Sequence, residues 1–174
     1  MAPDPETPSA SPRGITLFGP PAEAPDLHDT EVMSMPEVDP EVTDQFMEWA
    51  LSGGHVVKVL FEQGGDEDGM SLVWSWFGPG YTLPRHSHSA DCLYYVVSGE
   101  ARLGNRTIGA GAGFFVPAGA PYAYSAGPEG IQILEFRGVS SFDMKITEGL
   151  DRWDRIVDVV RERSEAWKEE AAHV

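Results

Sequence analysis

Two histidines with one residue between them stand in the stretch "PRHSHSADCLYYVVSGE". Side chains alternate between the two faces of a β-strand, so His86 and His88 point the same way. If the alternation continues, Cys92, Tyr94 and Val96 share that face. Two imidazoles on an inward-facing strand can bind one ion, and the spacing therefore predicts a metal site inside a small β-barrel.

The elements that would position these residues are short strands. Between His55 and Gly138 the segments "HVVKVLF", "MSLVWSWF", "CLYYVV", "GFFVP" and "IQILEF" are apolar or β-rich, and glycine-containing turns separate most of them. Repeated short strands at this spacing predict an all-β barrel or sandwich.

Helical patterns flank this region on both sides. The segment "DPEVTDQFMEWALSGG" has Asp39 at a cap position and Pro40 in the first turn, and predicts a short amphipathic helix. We expect its apolar face to consist of Val42, Phe46, Met47, Ala50 and Leu51. Residues 151–174 predict a second helix, packed outside the barrel or on a partner chain. Its apolar positions are Trp153, Ile156, Val160 and Trp167.

Composition excludes several classes of function. The 174 residues carry 28 acidic and 12 basic side chains, a formal net charge of -16, which repels nucleic acid and anionic membrane surfaces. The single cysteine cannot form an internal disulfide, and no apolar run approaches the roughly 20 residues of a membrane-spanning helix. The N-terminus lacks the pattern of a secretory signal, so we expect a cytoplasmic protein.

The chain divides into three parts. Residues 1–38 are acidic and rich in proline, with Arg13 as their one basic residue, and they predict an arm that is partly disordered or that straps a partner chain. Residues 39–140 hold the leading helix and the barrel, and residues 141–174 form a C-terminal helical segment.

Two motifs in this region resemble those of the cupin superfamily. The first cupin motif, G-x(5)-H-x-H-x(3,4)-E-x(6)-G, is matched in every spacing, with a cysteine in place of the glutamate, by Gly80, His86, His88, Cys92 and Gly99. The second motif, G-x(5)-P-x-G-x(2)-H-x(3)-N, has tyrosine and alanine in place of its last two residues; its positions are Gly111, Pro117, Gly119, Tyr122 and Ala126. The resemblance covers roughly half of the chain and implies a cupin (jelly-roll) barrel.

The resemblance also implies a ligand set. In cupins with all four ligands, the two histidines and glutamate of the first motif and the histidine of the second surround the ion. Here the matched positions are His86, His88, Cys92 and Tyr122. Thiolate and phenolate ligands favour iron, copper or zinc. We therefore expect one divalent transition-metal ion, with iron favoured and copper, zinc, nickel or manganese as alternatives.

Several roles remain open for the replaced positions. Cys92 resembles a cysteine that some thiol dioxygenases link covalently to a tyrosine, here Tyr122 or Tyr94, but the third histidine of that iron centre is missing. His55 is a weak substitute for it. A third interpretation is that the metal has been lost and that Cys92 is an ordinary buried residue. Asp91 has the wrong parity to act as a ligand.

The remaining barrel residues give a sketch of the walls. Tyr94 is placed to exchange a proton with a bound substrate, so we take Cys92, Tyr94 and Tyr122 as candidate catalytic residues. We expect Trp74, Trp76 and Phe115 to belong to the barrel core or, alternatively, to line an aromatic pocket. Arg85 is expected to point outward.

Two functions follow. The first is a metal-dependent enzyme that acts on a small organic molecule, most simply by an oxygenase-type reaction, with lyase and isomerase as other cupin activities. The second is a non-catalytic cupin whose degenerate site binds a small ligand or partner. Resemblance to small cupins also implies a homodimer, with the N-terminal arm crossing to the partner.

Overall fold

The computed structural model describes residues 14–34, 36–64 and 69–174. Within these residues the chain forms two α-helices, α1 (Thr43–Ala50) and α2 (Leu150–Ala171). The strands of the same residues are β1 (His55–Gln63), β2 (Met70–Phe77), β3 (Thr82–Ser87), β4 (Cys92–Leu103), β5 (Arg106–Gly109), β6 (Gly113–Val116), β7 (Tyr122–Arg137) and β8 (Lys145–Ile146). Short 3-10 turns occupy Pro21–Glu23, Leu27–Asp29 and Pro40–Val42.

One curled antiparallel sheet contains these strands, in the order β1-β2-β7-β3-β8, with β4 pairing with β5, β6 and β7. Strand β7 organises the sheet, because its first residues pair with β3 and residues 131–136 lie between β2 and β4. The predicted all-β fold class, with a short leading helix and a C-terminal helix, is confirmed. The sheet extends past the expected barrel boundary at residue 140, since β8 pairs with β3.

The alternation predicted for the histidine stretch is found in the burial of its side chains. His86 is the last buried residue of β3, and the chain turns before β4 begins at Cys92. Despite that interruption, His86, Cys92, Tyr94 and Val96 are each at most 1% exposed. The inward face of β4 meets the inward face of β7, where Tyr94 stands opposite Glu135.

Helix α1 begins as predicted but buries a different face. The Asp39 carboxylate accepts a hydrogen bond from the Glu41 amide, 2.9 Å away, at the start of the 3-10 turn that leads into the helix. Trp49 is buried, and its Nε1 donates to the Thr82 carbonyl oxygen at 2.9 Å. The expectation for Met47 and Leu51 was wrong, since both are exposed. The helix contacts α2 on the side that carries Trp49, so Met47 and Leu51 face solvent.

Helix α2 closes one end of the barrel. Its predicted apolar positions are all buried: Trp153, Ile156, Val160 and Trp167. The Trp167 indole donates to the Pro79 carbonyl oxygen at 3.0 Å and meets Tyr81 edge-on. A Cβ on Gly78 would lie 2.4 Å from this indole, so the tryptophan fits only because that residue has no side chain. Neither helix of the described chain has the length and apolar character of a membrane span.

The described part of the N-terminal arm lies on its own barrel. Lys58 of β1 forms an ion pair with Asp26, with Nζ 2.9 Å from Oδ1. Val32 is fully buried in a cluster with Val59, Val73 and Phe142. Residues 1–13 and 35 lie outside the described residues, and a strap from this arm to a partner chain stays a prediction.

Apolar side chains cover the outward face of the sheet. On β4, β6 and β7 the exposed ones are Leu93, Tyr95, Val97, Phe115 and Phe136. Register places Leu93 beside both Phe115 and Phe136, so these side chains form a continuous patch. An exposed patch of this kind is suited to association with another surface, and the homodimer stays a prediction.

We predict that Trp167→Ala destabilises the protein by about 3–5 kcal/mol, because it removes a fully buried ring and leaves the Pro79 carbonyl without its donor. Urea unfolding followed by far-UV circular dichroism measures the change. Lys168→Ala, an exposed neighbour on the same helix, is the control and should change stability by less than about 0.5 kcal/mol. Equal urea midpoints for the two variants would contradict the predicted contribution of Trp167 to stability.

Candidate metal centre

The two histidines are held by backbone carbonyl groups. His86 Nδ1 donates to the Pro84 oxygen at 2.7 Å, and His88 Nδ1 donates to the Asp143 oxygen at 2.6 Å. A carbonyl oxygen can only accept, so each Nδ1 carries the proton and each Nε2 keeps a free lone pair. Ligating histidines in proteins usually make this second hydrogen bond, which fixes the tautomer and the ring orientation.

Both imidazoles are neutral in this environment. Burial is the main cause, and the neighbouring His88 adds to it, so that the pKa of His86 falls to about 4. The pKa of His88 is also lowered, first by burial and then by the positive charge of Arg137. The ring centroids lie 5.0 Å apart. Two neutral, oriented imidazoles therefore stand side by side in a buried position.

Tyr122 and Tyr94 extend this pair into the barrel. The Tyr122 ring lies 4.3 Å from the His86 ring, centroid to centroid, and its hydroxyl is hydrogen-bonded to the Tyr94 hydroxyl. Tyr94 stacks on Phe114 with centroids 4.5 Å apart, which fixes its orientation. Burial raises the pKa of both phenols, and the negative charge of Glu135 adds to the shift. Both tyrosines are therefore protonated at neutral pH.

Cys92 lies on the same inward face and is 1% exposed. Burial raises the pKa of its thiol to about 12, so the protein alone keeps it protonated. Cys92 Sγ and the ring nitrogens of His86 and His88 are not all within 4.8 Å of one another, so they do not form a ready three-ligand set. Among the described residues such a set of three is formed by Asp26, His28 and Asp29, which lie on the arm and are mostly exposed.

A buried ion pair borders the site, and the sequence reasoning missed it. Arg137 Nη2 lies 2.8 Å from Glu135 Oε2, and the Ser75 hydroxyl donates to Glu135 Oε1 at 2.9 Å. Burial alone would raise the pKa of Glu135, but the Arg137 charge and these hydrogen bonds outweigh it and lower the pKa. The signal was present in "IQILEFR", where the two charged residues share the parity of Ile131 and Ile133.

Other residues considered from the sequence lie elsewhere. His55 is bonded through Nδ1 to the Tyr81 hydroxyl at 2.9 Å and stacks on Trp49 of α1. The Asp91 carboxylate accepts a hydrogen bond from the Ala118 amide, 2.7 Å away, and so supports the second motif from outside. Arg85 is exposed, as expected.

Three aromatic residues considered from the sequence, Trp74, Trp76 and Phe115, do not line the site. Trp74 and Trp76 are buried, but they pair with Leu134 and Gln132 on the face opposite to Glu135. Phe115 is exposed on that outward face as well. The core or pocket role expected for it was therefore wrong, and its neighbour Phe114 fills the inward position instead.

Chemically, the arrangement offers two nitrogen lone pairs, two protonated phenols, a protonated thiol and one balanced ion pair. The imidazoles fit a borderline transition-metal ion such as iron, copper, nickel or zinc. The thiol and phenol would serve as ligands only if the charge of the ion lowered their pKa values. The donor set fits a metal held first by His86 and His88.

No protein-family model and no curated protein matches this sequence. Among solved structures, the chain is similar to an oxalate decarboxylase variant from Bacillus subtilis, at 19% identity and a TM-score of 0.43, over 50% of this chain and 26% of that one. It is also similar to the polyketide cyclase RemF from Streptomyces resistomycificus, at 20% identity and a TM-score of 0.41, over 48% of this chain and 64% of that one.

A third similar structure is the DMSP lyase DddQ from Ruegeria pomeroyi DSS-3, at 23% identity and a TM-score of 0.42, over 48% of this chain and 46% of that one. The chain thus spans about a quarter to two thirds of the length of these proteins. Their names describe three different activities, so the likeness concerns the fold and assigns no reaction to this chain.

Proposed function

We propose that this protein is a metal-dependent cupin enzyme that acts on a small organic molecule. One observation carries the proposal: both histidines give their Nδ1 protons to backbone carbonyls, so two Nε2 lone pairs remain for an ion. The protein maintains this arrangement in a buried position, where two imidazoles without a role would be costly to keep.

The ion and the residues around it would have different roles in the reaction. A transition-metal ion, iron in the favoured case, would supply Lewis-acid and one-electron chemistry to an oxygenase-type reaction. Tyr122 and Tyr94 each hold a proton on Oη, and their hydrogen bond gives a route by which a proton can move between them. Phe114 and Phe142 wall the site with apolar surface, which excludes water.

A second candidate function is a non-catalytic cupin that binds a small ligand. Two observations on Cys92 favour this alternative. Its sulfur and the ring nitrogens of the two histidines are not all within 4.8 Å of one another, and its thiol is protonated. In that case Cys92 and Tyr122 pack the barrel, and His86 and His88 serve as polar contacts to the ligand. The metal content of the protein separates the two candidates.

Purified protein should contain about one transition-metal ion per chain after reconstitution with iron, copper, nickel, zinc or manganese, as measured by inductively coupled plasma mass spectrometry. His86→Ala and His88→Ala should each reduce this content to near zero, because either change leaves a single imidazole. His173→Ala, which changes an exposed histidine near the end of the chain and outside any such ligand set, is the matched control and should keep the metal. Wild-type protein that takes up none of the five metals would rule out the enzyme proposal.

Cys92→Ser tests the thiol at the replaced glutamate position. If Cys92 ligates, the substitution should remove a thiolate-to-metal absorption band from the iron- or copper-loaded protein and shift its metal preference away from soft ions. The serine is nearly isosteric, so packing is conserved. Identical spectra and identical metal preference for the two proteins would show that the thiol only packs.

The metal-free protein should lose stability as the pH falls from about 6.5 to about 4. Within this window the unfolded chain binds a proton at His86 and the folded chain does not, so the free energy of unfolding falls by about 3 kcal/mol for this residue. Above the unfolded pKa the contribution is complete. His86→Gln should reduce the slope of the free energy of unfolding against pH, while His55 and His88, whose pKa values burial also lowers, contribute to what remains. An unchanged slope in urea unfolding would mean that His86 is not held neutral.

A further inference from the structure

Arg137 has hydrogen-bond donors that the described residues leave unused. Its side chain is buried on β7, and Nη2 serves Glu135 at 2.8 Å and approaches the Tyr94 hydroxyl at 3.5 Å. Nε and Nη1, which are also buried, have no hydrogen-bond partner among the described residues. A guanidinium has donors only, so each of these atoms requires an acceptor.

The neighbouring strand presents a second unpaired group at the same level. Ser71 of β2 pairs in register with Arg137, and its side chain is fully buried. Among the residues that the structure describes, its hydroxyl has no hydrogen-bond partner either. Val73, the next inward residue of β2, is apolar. The unpaired polar groups here are therefore those of Ser71 and Arg137, which are neighbours on β2 and β7.

An aromatic ring occupies one face of the Arg137 guanidinium. Phe142 covers the guanidinium, with the central carbon 3.7 Å from the ring centroid. The N–H bonds lie in the plane of the guanidinium, so a phenyl ring stacked on its face accepts none of them. Buried donors without acceptors are rare in folded proteins and usually mark a ligand, an ion or an ordered water.

The charge of the interior favours an anion as that ligand. Glu135 is the carboxylate that faces this part of the barrel, and Arg137 already balances it. Among the described residues no other carboxylate is buried, so a divalent ion on two neutral imidazoles would add positive charge without a further buried counter-charge. A carboxylate group brings a negative charge and acceptor oxygens together, which matches unpaired N–H and O–H donors.

We propose that Arg137 and Ser71 bind a carboxylate group of the small molecule on which the site acts, through Nε, Nη1 and the serine hydroxyl. The identity of the molecule as a substrate rests on the proposed enzymatic function. The anchor itself does not include His86 or His88, so binding of a carboxylate at Arg137 can be tested without metal.

The test uses acetate as the probe and acetamide, which is neutral and nearly isosteric, as the matched control ligand. Each is titrated into the full chain, metal-free and metal-loaded, and the amide signals of Ser71 and Arg137 are followed by ¹H–¹⁵N nuclear magnetic resonance. Acetate should shift both signals in a saturable manner, and acetamide should bind at least about tenfold more weakly because it lacks the charge.

Three variants separate an anion anchor from a structural role. Glu135→Gln keeps the cation and removes its competitor, so it should bind acetate more tightly than the wild type. Glu135→Gln combined with Arg137→Met removes both charges, which leaves no unpaired charge in the barrel, and should weaken acetate binding by at least about tenfold. Ser71→Ala should weaken it by a smaller factor.

The outcomes distinguish the two proposals. Wild-type protein that takes up none of the five metals but still binds acetate would support the anchor while ruling out the enzyme proposal. Acetate and acetamide that shift the signals equally, a doubly substituted variant that binds acetate as the wild type does, or acetate that produces no shift would each overturn the anchor and assign the free donors to an ordered water.

Discussion

Glu135 and Arg137 form an ion pair, 2.8 Å long, inside a barrel whose walls are largely apolar. Two charges in such a place are tolerated only together, because removing either partner would leave the other unpaired at a cost of about 3–5 kcal/mol. The pair also constrains the sheet. A slip of one residue between β7 and its neighbours would carry both charges to the outward face and place Phe136 inside.

Burial is the larger cause of the pKa shifts around the ion pair, and the pair adds to several of them. The Glu135 charge further raises the pKa values of Tyr94 and Tyr122, and the Arg137 charge further lowers that of His88. The consequence is an interior in which imidazoles, phenols and thiol are all neutral. The candidate centre is therefore one in which an ion would have to create its own anionic ligands.

The histidines depend on parts of the chain that are distant in sequence. Pro84 lies two residues before His86, and its carbonyl orients that ring locally. The carbonyl that orients His88 belongs to Asp143, 55 residues later, in the segment between β7 and β8. The Asp143 carboxylate also accepts a hydrogen bond from the Ser89 amide at 2.6 Å. The loop after β7 thus fixes the second imidazole, and motif spacing alone gives no indication of it.

Strand alternation and glycine-containing turns in the sequence were sufficient to predict the barrel, the two flanking helices and the burial of the histidine stretch, because side-chain parity is a local property of the backbone. The same rule applied to "IQILEFR" would have revealed the buried charges. Tertiary structure alone decided their pairing, the tautomers of the histidines and the position of the thiol relative to them. These depend on contacts between strands far apart in the chain, and pairing between distant strands is set by the packing of the whole sheet.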